Sequence, residues 1–235
     1  SDNGKWAIAY GPNANDQDAF PKLINLQTKE TINLADGDGV IVSNAGDVTD
    51  DGQMVVGSYQ GYPATWNTAT KEWTKVTLPE GCENGRINAV TPDGKYAVGT
   101  CGINSNMLYE VPTMWDLTTG KIIATPNIPQ KDQSGEYQLM TRFTGISADA
   151  RYIVGCISFS YPQDVVYFFY DRQEEKFDPV VFDFDDTKKY PYIKKNENVY
   201  GLDAICVSPN GKWISGVLYT MNDERSPFRH NTETK

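Results

Sequence analysis

A chain of 235 residues, 39% of them hydrophobic, is long enough to bury a substantial core. No stretch of it reaches the ~18 apolar residues that a membrane-crossing helix requires. With 31 acidic against 21 basic residues the formal charge is −10, and the clustered Lys and Arg that a phosphate backbone demands are missing, so nucleic acid is excluded as an expected partner.

Taken in chain order, the sequence alternates two turn signals with short apolar or aromatic runs. Ser1-Asp2-Asn3-Gly4 precedes the run from Trp6 to Ala9, and a strand ending on Ile24 leads into the turn from Asn25 to Lys29. Thr49-Asp50-Asp51-Gly52 then precedes Met54 to Gly57, and Trp66 leads into the turn from Asn67 to Lys71. The third round runs from Thr91-Pro92-Asp93-Gly94 and Tyr96 to Gly99 through Trp115 into the turn from Asp116 to Lys121. The fourth uses Ser147-Ala148-Asp149-Ala150, Tyr152 to Gly155, Tyr170 and a turn from Asp171 to Lys176. The fifth uses Ser208-Pro209-Asn210-Gly211, Trp213 to Gly216, His230 and a turn from Asn231 to Lys235.

Each first turn suits a type I turn followed by a left-handed residue, a position that favours Gly. Ala150 departs from this and implies either mild strain or a different turn in the fourth repeat, of which the different turn is the expectation. Each second turn joins a third strand to an outer one such as 72–78 or 121–125. A repeat of roughly 40 to 60 residues carrying only strand patterns is that of propeller blades. The fold expected is all-β: a single domain over 1–235 of four-stranded antiparallel blades, with repeats at about 1–42, 43–84, 85–140, 141–198 and 199–235. Five complete blades need 20 strands and the pattern supplies about 18. The chain is therefore read as a fragment of a larger array, the alternative being an irregular closed five-bladed ring. Ala9, Gly57, Gly99, Gly155 and Gly216 are points of close backbone approach, and Ile24, Trp66, Trp115, Tyr170 and His230 form a column packed between blades.

The stretch from Ile87 to Gly99, with Pro112 to Trp115 and Asp116 to Gly120 after it, resembles two families. One is the secreted bacterial repeat with a His-Ala-Phe signature, whose units join a Ser-x-Asp-Gly-x-x-Val-Val-Gly stretch to an Ala-Phe-x-Trp strand. The other is the TolB-type propeller repeat built on Ser-Pro-Asp-Gly-Lys. The resemblance covers nearly the whole chain and implies an extracytoplasmic bacterial protein, secreted, periplasmic or on the cell surface. The sialidase Asp-box, by contrast, has a residue between Asp and Gly that the segment from Ser208 to Trp213 lacks.

Both short turns of a blade fall at one end of it, and the longer connections, 59–63, 102–111, 158–164 and 218–226, at the other. Variable loops on a rigid scaffold are where binding resides. Tyr59, Tyr62, Asn104, Tyr109 and Tyr161 are the candidate ligand-binding residues, suited to a glycan or a protein or peptide ligand by stacking and hydrogen bonding. The function expected is non-catalytic binding. The alternative is a carbohydrate-active enzyme of glycoside hydrolase type, whose axial carboxylates would come from Asp47 and Asp203.

No catalytic residue, metal site or cofactor is assigned. Acidic groups at Asp36 and Asp38, at Asp47, Asp50 and Asp51, and at Asp183, Asp185 and Asp186 read as solvated turns, since none completes a calcium loop. The single histidine and the absence of a Cys-x-x-Cys pair leave no zinc set. Cys82 and Cys101 are expected at the same edge of the third repeat, within reach of a disulfide; Cys156 and Cys206 read as buried small hydrophobes.

Overall fold

A computed structural model describes residues 1–13, 16–34, 44–103, 110–124, 140–158, 165–179, 199–220 and 225–233. The described residues form 18 strands and no helix, in five antiparallel groups of three or four, which is a β-propeller architecture of five blades. Blade 1 holds β1 (Trp6–Asn13), β2 (Asp16–Asn25) and β3 (Thr31–Asn33). Blade 2 holds β4 (Asn44–Val48), β5 (Met54–Tyr59), β6 (Tyr62–Asn67) and β7 (Glu72–Lys75). Blade 3 holds β8 (Asn84–Val90), β9 (Tyr96–Gly102), β10 (Glu110–Asp116) and β11 (Lys121–Ile123). Blade 4 is β12 (Met140–Ile146), β13 (Tyr152–Ser158), β14 (Val165–Asp171) and β15 (Lys176–Pro179), and blade 5 is β16 (Val199–Val207), β17 (Trp213–Thr220) and β18 (Arg225–Asn231). Among the described residues no helix is long and apolar enough to cross a membrane.

The described residues group into two compact units: those of Ser1–Asn127 with Met140–Phe143, and those of Thr144–Lys235. In the first unit each blade buries its face against the next. Trp66, Val55, Val48 and Ala45 of blade 2 pack with Leu23 and Leu34, and with Trp6, Ile8 and Ile32 of blade 1. Trp115, Ala97, Val90 and Ile87 of blade 3 pack with Val56 and Met54 of blade 2. At about 25 cal/mol per Å² of apolar surface, each fully buried side chain of this kind contributes roughly 2 kcal/mol, so the blades hold one another and not themselves. In the second unit Val154 and Tyr167 of blade 4 pack with Ile205, Val207, Ile214 and Phe228 of blade 5.

The five first turns are built alike. The Ser or Thr hydroxyl donates to the Asp or Asn carboxyl or amide oxygen two residues on, at 2.6–2.9 Å from Ser1, Thr49, Thr91, Ser147 and Ser208. The same hydroxyl accepts the amide of the residue five on, Trp6, Met54, Tyr96, Tyr152 or Trp213. The fourth residue is left-handed in all five, Ala150 included at φ +57. This corrects the expectation of a different turn in the fourth repeat. Ala150 also donates its amide to the Ser147 carbonyl, as Gly52 does to Thr49, so the hydroxyl network imposes the conformation and the alanine bears the left-handed strain.

The second turns lie beside the first. In blade 2 the Thr68 amide donates to the Gln53 carbonyl, in blade 3 Leu117 to Lys95, and in blade 5 Thr232 to Lys212. Neighbouring blades are also stitched turn to turn, Asp50 donating to the Pro92 carbonyl and Ala148 to that of Pro209. The equivalence of the Asp51-Gly52 and Asp93-Gly94 turns at one end of the first unit is thus as expected.

Inner strands β4 and β8 are bulged, the pairing skipping Gly46 and Asn88. The close approaches expected at Gly57 and Gly99 are present: an added methyl group would overlap the carbonyl oxygen of Asn44 or Arg86 on the adjacent inner strand.

Candidate functional site

At the opposite end of the blades the described residues include the connection of blade 2. In blade 2 the connection expected as a long loop is a two-residue hairpin, Gln60-Gly61, with φ of +52 and +80. Tyr59 and Tyr62 are direct cross-strand partners on either side of it. Positive φ at both central residues is the type I′ geometry that matches strand twist, which explains why the chain turns so tightly here. The Tyr59 ring stacks on Trp73 with centroids 5.9 Å apart and planes parallel within 1°. Tyr62 is exposed, and the Lys75 ammonium lies 4.1 Å from its ring centre. The structure therefore separates the pair: Tyr59 supports the outer strand, whereas Tyr62 is accessible. Asn104, Tyr109 and Tyr161 lie outside the described residues, as does the calcium reading at Asp36, Asp38, Asp183, Asp185 and Asp186.

Blade 3 ends in a charged cluster that the sequence did not announce. Glu110 opens β10 and stands in one row with Gly102 of β9 and Asn84 of β8; two rows on, and so on the same face, stand Arg86, Thr100 and Pro112. Gly102 has no room for a Cβ because the Asn84 side-chain oxygen occupies that space. Strand β12 joins through a parallel pairing of Met140 with Glu110. Its start is tied to blade 3 by Thr100 donating to the Thr141 carbonyl at 3.3 Å and Asn88 to that of Phe143 at 2.7 Å. Here the Arg142 guanidinium donates to one Glu110 carboxylate oxygen through Nε, and Arg86 approaches the other at 3.9 Å. The Glu110 side chain is 1% exposed, those of Arg86 and Arg142 27% and 33%.

The expected edge position of the cysteines holds. Cys101 pairs with Gly85, and the Glu83 amide donates to the Gly102 carbonyl at 2.9 Å, which brings Cys82 to the same end of blade 3. Both pack against the Trp115 cluster and both thiols are free. Burial pushes the Cys101 thiol up to about 12 and raises that of Cys82, so neither is a ready thiolate. Cys206, read as buried, is exposed, with its sulfur 3.1 Å from the Ser215 hydroxyl.

Asp47 is committed to structure. Its two carboxylate oxygens accept the amides of Val48 at 2.8 Å and Val90 at 3.1 Å, clamping inner strand β4 to β8. Burial raises it to about 6 despite those bonds. The side chain of Asp203 is outside the described set. Asp50 and Asp51 are engaged by the Asn3 amide and by the Thr49 hydroxyl and Gln53 amide. Among the described residues no three His, Cys, Asp or Glu side chains converge as a metal site.

No family model matches the chain, and no curated protein matches it. Solved structures with the same fold do. TolB from Acinetobacter baumannii superposes with a TM-score of 0.65 at 15% identity, over 100% of this chain and 52% of its own. A putative TolB from Agrobacterium tumefaciens gives 0.60 at 15% identity, over 90% of this chain and 65% of its own. The chain thus spans about half to two thirds of the length of these neighbours, and it has the fold of TolB-type β-propeller proteins.

Proposed function

We propose that the chain is a non-catalytic binding propeller that holds a protein or peptide partner at the loop ends of its blades, in an extracytoplasmic setting. The observation that carries this is the contrast between the two ends. At the turn end the side-chain hydroxyls, carboxylates and amides of the first turns are spent on one another, in the same pattern five times over, which leaves little to distinguish one partner from another. At the loop end the described residues of blades 2 and 3 differ: Tyr62 and Lys75 stand beside a tight hairpin in blade 2, a charged cluster in blade 3. Specificity needs such differences. The fold shared with TolB proteins and the resemblance to secreted repeats support the setting. Tyr109, Tyr161 and Asn104 are proposed to join Tyr62 in ligand contact.

The test is an array of peptides and glycans probed with the chain, followed by Tyr62→Ala. The change should weaken peptide binding about tenfold, as removal of an interface tyrosine does, while leaving the melting temperature within a few degrees. Binding that survives Tyr62→Ala but is lost on changing Asp93 and Lys95 would place the site at the wrong end.

A further inference from the structure

We propose that blade 5 docks blade 1 of a second copy of this chain, with Trp213 and Asn210 of one copy closing on Gly4 and Asp2 of the other. The contact repeats, between copies, the seam that joins blade 1 to blade 2. It stands apart from ligand binding at the loop ends.

Within each unit a blade presents the residue five places after its turn hydroxyl to the turn of the blade that follows. A methyl group on Gly52 would strike the Trp6 ring and one on Gly211 the Tyr152 ring, and Met54 Cε lies 3.7 Å from the same point on Gly94. Those three covering side chains are half-buried. Trp213 holds the same place in blade 5, yet it is 37% exposed. Its ring is held in position. The Arg229 guanidinium lies 4.8 Å from the ring centre, just as Phe169 stacks on Tyr152 at 5.1 Å from the equivalent position in blade 4. The matching half is open too: a methyl group on Gly4 meets nothing within 4 Å.

The polar residues fit the same pairing. Where blade 1 meets blade 2, the Asn3 amide donates to the Asp50 carboxylate and the Asn3 Nδ2 to the Asp50 carbonyl, each at 2.9 Å. Asn3 is the third residue of its turn and Asp50 the second. Among the other four turns Asn returns at the third place only as Asn210 of blade 5, and apart from Asp50 the second place holds Asp only as Asp2 of blade 1. Trp follows five places after the hydroxyl in blades 1 and 5 alone. The Asn210 Oδ1 accepts the Ser208 hydroxyl and the Lys212 amide, as the Asn3 Oδ1 accepts those of Ser1 and Lys5. Its backbone N–H and Nδ2 are left without a hydrogen-bond partner among the described residues. Blade 5 thus carries the Trp and Asn half of the first seam and blade 1 the Asp and Gly half. Both halves stand open on one chain, so a second copy supplies the complement of each, with the indole as the anchor. Because the two faces differ, the contact is head-to-tail, and a pair keeps one of each free unless a ring closes.

The experiment is sedimentation equilibrium of the whole chain from about 1 µM to about 1 mM, at about 0.15 M salt to screen the charge of −10 on each copy. The mean mass is expected to rise from one chain toward two or more, with a dissociation constant of roughly 10–100 µM for a contact of one blade face. Trp213→Ala should weaken association at least about tenfold. Gly4→Ala should weaken it as well, because the new methyl group meets the indole of the second copy, while Ala150 shows that the turn itself accepts alanine. Asn210→Asp sets two carboxylates side by side and should cost about tenfold in association. It leaves the turn intact, since Asp51, Asp93 and Asp149 hold that place in the other blades. Adding Asp2→Asn to that variant should recover association at least about fivefold, a compensation that a general loss of stability does not produce. Should Trp213→Ala fail to fold, this pair decides. A mass of one chain up to about 1 mM overturns the proposal, as does association unchanged by Gly4→Ala or by Asn210→Asp. A mass of one chain together with a Gly4→Ala melting temperature lowered by more than about 10 °C would also overturn it, by putting the seam inside a single chain.

Discussion

Gly4, Gly52 and Gly94 hold the same turn position with φ of +67, +73 and +72, but their surroundings differ. A methyl group on Gly4 meets nothing within 4 Å, on Gly94 it comes 3.3 Å from the Thr49 methyl, and on Gly52 it overlaps the Trp6 indole. The three alanine variants therefore separate backbone strain from space. Gly4→Ala should cost the left-handed penalty alone, about 1 kcal/mol, Gly94→Ala slightly more, and Gly52→Ala about 3 kcal/mol or more as the indole is displaced. Denaturant midpoints for the series measure this, and equal losses at all three would contradict it. Asp47 supplies a pH-dependence with an unusual sign. Its folded value of about 6 lies above the ordinary 3.8, so folding favours the protonated form, and its stabilising contribution is full below about 3.8 and is lost as pH rises through 6. Lowering the pH from 7 to 5 should stabilise the first unit by roughly 1–2 kcal/mol, and Asp47→Asn should flatten that gain. Asp93 and Asp171 have lowered values and act oppositely, contributing above the ordinary carboxylate range and losing it in stronger acid.

Two tryptophans at equivalent places in their strands show how blades are joined. Trp115 donates Nε1 to the Thr77 carbonyl at 2.8 Å, whereas the buried Nε1 of Trp66 has no hydrogen-bond partner among the described residues. Both are fully buried, so replacing either by Phe removes similar ring volume. Trp115→Phe should cost roughly 1–2 kcal/mol more than Trp66→Phe, because only the former breaks a bond and leaves a buried carbonyl. A reversed order in thermal unfolding would refute this account of the seam. These columns were legible in the sequence because strand alternation fixes which residues face the neighbour, and the turns because Ser or Thr, Asp or Asn and Gly at fixed offsets admit one hydroxyl-capped geometry. The two-residue hairpin at Gln60-Gly61 was not, since Gln is a weak signal for a left-handed residue compared with Asn or Asp. The charged cluster was hidden for another reason. Arg86, Glu110 and Arg142 are far apart in sequence and meet only when β8, β10 and the start of β12 pack together. One trace was present: Asn44, Arg86, Arg142 and Asp203 stand at the same inner-strand position, four residues before Val48, Val90, Ile146 and Val207, and two of the four are arginine.

At the scale of the whole chain, charge sets the class of partner. A formal charge of −10 and an isoelectric point near 4.6 give the chain a net repulsive field for any polyanion. At 0.1 M salt that field extends about 10 Å and at 0.01 M about 30 Å, so lowering the salt strengthens the repulsion where it would strengthen binding in a nucleic-acid-binding protein. Tight association with DNA or heparin requires several phosphates or sulfates to be neutralised together, each releasing counterions, and a sequence without clustered Lys and Arg cannot supply that. The chain should therefore neither shift duplex DNA nor stay on a heparin column at about 0.01 M or about 0.1 M salt. Retention that rises as salt falls would mean that the basic groups act together as a patch, and the exclusion of polyanions by an acidic surface would then be wrong.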